Sequence, residues 1–197
     1  MIDLYAWKSA NGRRPIIMLE ETGTPYNLIP VDPHGGENKK PDYLKISPGG
    51  KVPCMVDPNG SFGKPVHLME SAAILLYLAE KTAKFFGKNR DENWNIRQWL
   101  FYLATNVTVS FSNLNHAREL ENQCRELLKN LNNHLATNTF FAGDYSIADM
   151  MVIGRFGDFR FDFINLKKIL FNIKLNINRL SLINVWSKNF TYCSCDI

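Results

Sequence analysis

Signatures of secretion, membrane spanning and metal binding are all missing from this chain of 197 residues. Residues 1–15, MIDLYAWKSANGRRP, hold no apolar h-region, which argues against a secretory signal in that stretch. The longest clean apolar run, AAILLYLA at 72–79, is far short of a membrane span. Cysteine is scarce: Cys54, Cys124, Cys193 and Cys195 occur, with no metal-ligand spacing between them. That excludes a thiolate metal site and fits a reducing cytoplasm with free thiols. Cys193 and Cys195 read as thiols of a loose tail. The histidines, His34, His67, His116 and His134, are scattered without a partner that suggests a triad or a metal, and are given no role. The net charge is only +4, and basic residues alternate with acidic ones. No basic stripe interleaved with aromatics is present, which excludes nucleic acid as a partner.

What is present is a soluble globular balance, with 45% hydrophobic and 21% charged residues. The first half alternates strand and helix. Residues 1–7 read as a buried strand. Residues 13–23 place Ile16, Ile17, Met18 and Leu19 at helical spacing and stop at Gly23. Strands are expected at 25–31, 52–57 and 65–69, with one helical turn at 41–45 and a DPNG turn at 57–60. A helix over 70–82 offers Ala73, Leu76, Tyr77 and Leu78 for burial. The order βαβ(α)ββα describes a small sheet with helices on its faces. From Asn89 onward helical periods dominate. Residues 91–107 carry Trp94, Trp99, Leu100 and Leu103. Residues 118–135 carry Leu120, Cys124, Leu127, Leu128, Leu131 and Leu135 as an i, i+3, i+4, i+7 stripe. Ser146 and Asp149 fit a Ser-x-x-Asp helix start for 146–156. Weaker helical segments fall near 163–171 and 176–190. The fold class is therefore α/β followed by all-α, with domains at 1–82 and 90–197 and a charged, Gly-containing linker between them.

Three places carry chemistry. Pro53 cannot donate to a sheet ladder, so Val52-Pro53 is either a trans step at a sheet edge or a cis step that turns backbone groups into a cleft. Glu70-Ser71 opens a helix directly after a strand. The pair either caps the helix or binds a zwitterion, the helix end and Ser71 taking a carboxylate and Glu70 an ammonium group. The first turn, AWKSANGRRP, leaves Ser9 and Asn11 at a helix start that favours an anion such as a thiolate. The alternative there is that Asn11-Gly12 is a cap and a turn. No cysteine lies in this turn, so any thiol must arrive with a ligand.

Taken together, LKISPGGKVPCMVD, HLMESAAILLYLAEK and FFAGDYSIADM resemble, in that order, three segments of the cytosolic glutathione transferases. The resemblance is dense over 1–82 and local again at 140–150. It implies a thioredoxin-like N-terminal domain with Pro53 as the cis-proline. MIDLYAWKSANG with NLIPVDPHGGENKKPDYLKISP is most similar to the bacterial Nu class, the glutathione-dependent disulfide-bond oxidoreductases. In that class a Thr and an Asn face the sulfur; Ser9 and Asn11 stand at those positions. The resemblance further implies glutathione as co-substrate, with Val52 pairing its backbone with the cysteinyl part. Glu70 and Ser71 would hold the γ-glutamyl end, and Arg14, or more weakly Lys39, the glycyl carboxylate. It also implies a homodimer.

The chain departs from the pattern in its second half. SNLNHARELENQC passes almost directly between two helices where the family has about ten more residues. TNVTVSFS replaces a Gly- and Pro-bearing bend, and the last forty residues keep only a trace of the family's final helices, with abundant Asn. In the family this region supplies part of the second-substrate pocket, and the alteration weighs against ordinary dimerisation. The leading expectation is an enzyme, a glutathione-dependent disulfide reductase or thiol transferase. The alternatives are conjugation of glutathione to electrophiles, and a glutathione- or partner-binding module with little activity. Cys54 is expected in the core.

Overall fold

In the computed structural model, residues 1–60, 63–113 and 118–156 are described, without the side chains of 112–126, 155 and 156. The expected helices near 163–171 and 176–190 lie outside the described residues. The chain divides at Thr82 and Ala83 into two units, taken in turn.

The first unit is built on a four-stranded mixed sheet in the order β2-β1-β3-β4. Strand β1 (Ile2–Ala6) alternates, with Ile2, Leu4 and Ala6 buried. It pairs in parallel with β2 (Tyr26–Pro30), Leu4 opposite Leu28. On its other side it pairs antiparallel with β3 (Cys54–Asp57), Tyr5 opposite Cys54. Strand β4 (Val66–Met69) completes the sheet against β3, with Cys54 opposite Met69.

Helix α1 (Ala10–Thr22) starts three residues earlier than its apolar spacing predicts, because Ser9 caps it from an extended conformation. Its end is as expected. Gly23 adopts a left-handed φ of 68°, its N–H reaching the Glu20 carbonyl and that of Thr24 the Leu19 carbonyl. A 3-10 turn at Glu37–Lys39 and the short α2 (Pro41–Ile46) follow β2. Helix α3 (Ser71–Thr82) buries Ser71, Ile74, Leu75, Leu78 and Ala79. Of the four residues expected to be buried here only Leu78 is; Ala73, Leu76 and Tyr77 are half-buried. A run that is apolar nearly all round does not reveal its inner face by periodicity. Tyr77 instead donates to the buried Asp57 carboxylate at 2.7 Å, as Lys81 does at 2.6 Å, tying α3 to the end of β3.

The second unit begins with α4 (Arg90–Tyr102), whose cap Asn89 accepts from the Glu92 N–H at 2.9 Å. The helix continues through a π-turn at Leu103–Val107 into α5 (Thr108–Asn113). Ile96, Leu100, Leu103, Val107 and Phe111 form its buried line, while Trp94 stays outside at 58% exposure. Residues 114–117 separate α5 from α6 (Arg118–Thr137), which buries Leu128, Leu131 and Leu135. Trp99, His134 and Phe141 pack together, ring centroids 4.3 to 5.7 Å apart.

Helix α7 (Ile147–Phe156) opens on the expected Ser-x-x-Asp box. Asp149 accepts from the Ser146 N–H at 3.0 Å and its hydroxyl at 3.2 Å, and from the Phe141 N–H at 3.2 Å. Ser146 in turn accepts from the Ala148 N–H. Burial pushes the Asp149 carboxyl up to about 6, against the downward pull of these bonds. Replacing Asp149 with Ala strands buried donors and is expected to cost about 2–3 kcal/mol in denaturant unfolding. The folded carboxyl keeps a proton that the unfolded chain releases from about pH 3.8 upward. That contribution is full below 3.8 and lost as pH rises through about 6. The melting-temperature gap between wild type and Asp149→Ala should therefore be wider at the acid end of this window than at neutrality. A gap that widens toward neutrality would refute the assignment.

Candidate functional site

The register of the sheet decides which segments become neighbours. Strand β3 lies between β1 and β4, antiparallel to both, with Cys54 opposite Tyr5 on one side and Met69 on the other. One residue further along, Pro53 falls beside the end of β1 and beside Glu70. The start of β3 is thus flanked by the turn that opens α1 and the turn that opens α3. All three segments that carried chemistry in the sequence meet at this end of the sheet.

At the α1 turn, the Ser9 hydroxyl oxygen accepts the Gly12 N–H at 3.0 Å, which leaves its own proton to donate. No acidic side chain lies in the first turn of α1, so its positive end is uncompensated from within the helix. Gly12 is required by close approach: a Cβ there would stand 2.5 Å from the Trp7 carbonyl oxygen. Asn11 turns its Oδ1 to the Arg14 guanidinium at 2.6 Å, and its NH2 group is directed the other way.

At the α3 turn, Glu70 is exposed and held at φ 70°, a left-handed conformation unusual for a residue with a Cβ. Its carbonyl accepts the Ile74 N–H and so opens the helix. Such strain concentrates at functional sites. Ser71 is buried, and its Oγ accepts from Arg14 Nη1 at 3.0 Å. Arg14 itself is only 2% exposed. Asn11, Arg14 and Ser71 form one chain of hydrogen bonds, with Arg14 behind the other two.

The third segment contains the Val52-Pro53 bond, which is cis. Pro53 is buried and Val52 half-buried. The approach to it is pinned by groups the sequence did not single out. Tyr43 donates to the Lys51 carbonyl at 2.7 Å and accepts from the Cys54 thiol at 3.4 Å, so it touches both sides of the Val52-Pro53 step. Ser47 also donates to the Lys51 carbonyl, and buried Asn38 donates to the Gly50 carbonyl at 2.6 Å. The Oδ1 of Asn38 has no partner among the described residues. Lys39, exposed, brings its Nζ within 3.0 Å of where a Cβ on Gly50 would lie.

Cys54 is fully buried, as expected, and burial pushes its thiol up from the ordinary value. It is a packed thiol, not a nucleophile. Among the described residues no cluster of His, Cys, Asp or Glu could hold a metal ion, and no helix is long and apolar enough to cross a membrane. The site offers donors and a helix end for an anion at α1, a carboxylate beside a helix start at α3, and extended backbone between them. An elongated ligand with a zwitterionic end and a central anion matches that layout.

Comparison with known proteins gives the family. The family described as glutathione S-transferase, N-terminal domain, matches residues 8–81. The disulfide-bond oxidoreductase YfcG of Escherichia coli is 36% identical over 164 residues, covering 76% of this chain and 76% of its own. The glutathione transferase of Pseudomonas putida, solved with one glutathione disulfide bound per subunit, has a TM-score of 0.83 at 26% identity, covering 93% of this chain and 89% of its own. A relative from Pseudomonas fluorescens, solved with two glutathione bound, has the same TM-score and identity, covering 93% and 91%. The chain belongs to the glutathione S-transferase family.

Proposed function

We propose that this chain is a glutathione-dependent disulfide-bond reductase of the Nu-class type. The observation that carries the proposal is the meeting of two helix starts with the Val52-Pro53 step at one end of the sheet. The domain of residues 1–82 holds glutathione. Glu70 takes the γ-glutamyl ammonium group. Ser71 and the first-turn N–H groups of α3 take its carboxylate. The Val52 backbone, ahead of Pro53, pairs with the cysteinyl unit. Lys39 is the exposed cation for the glycyl carboxylate, since Arg14 is enclosed behind Asn11 and Ser71.

These anchors leave the sulfur at the start of α1, facing the Ser9 hydroxyl and the Asn11 amide. Two donors and the helix end stabilise the thiolate over the thiol, whose ordinary pKa is about 8.5. The thiolate attacks one sulfur of a disulfide, forming a glutathione mixed disulfide and releasing the other sulfur as a thiolate. A second glutathione thiolate then attacks the glutathione sulfur of that intermediate, releasing glutathione disulfide and the second substrate thiolate, which is protonated by solvent. Two electrons pass from two glutathiones to one disulfide. The bound glutathione disulfide and paired glutathiones of the Pseudomonas relatives support room for both sulfurs.

The same reading places the chain in the cytoplasm, where glutathione is kept reduced, and as a homodimer. Trp94, Phe101 and Val109, each at least half exposed along α4 and α5, support a face covered by a second copy.

Calorimetry with glutathione and its disulfide tests the proposal. Wild type should bind, and Glu70→Ala should bind at least about tenfold more weakly, with its melting temperature little changed because Glu70 is exposed. Wild type that binds neither ligand would refute the proposal. Asn11→Ala should lower turnover of a small disulfide by about tenfold or more while binding falls less, since its bond strengthens as the thiolate forms. A wild-type rate in Asn11→Ala would remove Asn11 from the mechanism. Tight binding with no turnover would leave a glutathione-binding module instead.

A further inference from the structure

Arg14 is a charged group taken almost wholly out of water, at 2% exposure. Burial of a guanidinium is costly unless its donors are well used. One nitrogen, Nη1, directs both its hydrogens at residues of the candidate site: Asn11 Oδ1 at 2.6 Å and Ser71 Oγ at 3.0 Å. Each bond fixes what its partner presents outward. With Oδ1 held inward, the amide of Asn11 can show only its NH2 group. With a lone pair of Ser71 Oγ occupied, the hydroxyl proton is directed away from Arg14, as a donor.

The local sequence leaves the backbone of this turn less constrained. Pro15 lies inside α1 and has no N–H to give the carbonyl of Asn11 four residues earlier. The first turn of α1 therefore lacks one of its helical bonds at the residue whose orientation matters. The Arg14 side chain holds the Asn11 side chain instead, donating to its Oδ1, and with the same nitrogen reaches a residue 57 positions away at the start of α3.

We propose that Arg14 is a positioning residue that sets Asn11 and Ser71 as outward donors, locking the sulfur end and the γ-glutamyl end of one bound glutathione in a fixed relation. The proposal rests on the glutathione site described above. Lysine does not match it: its ammonium, on a shorter side chain, falls short of the point where Nη1 meets both oxygens.

The test is a double-mutant cycle read on the bound thiol. The ultraviolet absorbance of the glutathione thiolate, followed against pH in saturated complexes, gives the thiol pKa. Arg14→Met, which keeps most of the volume, should weaken glutathione binding by about tenfold and raise the bound thiol pKa by about one unit. In an Asn11→Ala background the same substitution should raise that pKa no further, because the group it orients is gone. A packing role alone would lower the melting temperature and leave the thiol pKa where it was. A folded Arg14→Met with the wild-type thiol pKa overturns the proposal, and so do additive shifts in the double variant. Should Arg14→Met fail to fold, Arg14→Lys carries the same comparison. Wild type that binds no glutathione overturns the site and the positioning role together, whereas wild type that binds, with shifts that add, overturns the positioning role alone.

Discussion

The antiparallel pairing of β3 with both β1 and β4 is the constraint on which the rest depends. Because Cys54 is opposite both Tyr5 and Met69, the two turns that leave the sheet for α1 and α3 emerge on either side of Pro53. A slip of one residue would send Cys54 and Met55 each to the opposite face of the sheet, out of the packing in which both are fully buried, and would carry Val52 away from both helix starts. Register is thus fixed by burial, and the site is a consequence of register. Loops on a rigid scaffold are where binding groups are expected, and here the scaffold is four short strands.

Electrostatics then sorts the two ends. Both helices start at the same end of the sheet, but their flanking residues differ. The α1 start is flanked by hydroxyl and amide and has no acid in its first turn. The α3 start carries the carboxylate of Glu70 on a left-handed backbone. On the proposed reading an anion sits at the first and a zwitterion at the second, so a ligand bearing both has one orientation. A charge-free linker between them is read by backbone, which is what Val52 has to offer.

Much of this was legible in the sequence, and the part that was not has physical reasons. Short motifs announced the three segments because they break local rules: a proline at a strand start, a Glu-Ser at a helix start, an Asn-Gly in a first turn. The C-terminal end of α1 and the box at Ser146 and Asp149 followed from capping chemistry, which is local. The buried face of α3 did not, since a helix packed on a sheet within an apolar run takes its face from the sheet. The π-turn at Leu103–Val107 and α5 had no signal beyond helical residues continuing. Tyr43 and Asn38 act through hydrogen bonds to the carbonyls of Lys51 and Gly50, contacts set by how a loop folds back and invisible to periodicity. Arg14 was expected at a ligand carboxylate because it stands at a basic position of the family it resembles. Only the packing of α1 against α3 reveals that it is enclosed.

The fate of the chain's own thiol completes the picture. Cys54 stands one residue from Pro53, close to where a ligand backbone would run. Yet its S–H donates to Tyr43, its surroundings raise its pKa, and no part of it is exposed. A thiolate is disfavoured there by the same burial that fixes the register of β3. At the same end of the sheet, the start of α1 offers, on the proposed reading, the donors that favour a thiolate and no sulfur of its own. Stabilised anion site and available sulfur have been separated, so the nucleophile must be supplied by the ligand. The specificity of the chemistry is then set by how that ligand is anchored, and the anchoring is the work of the three segments that the sheet brings together.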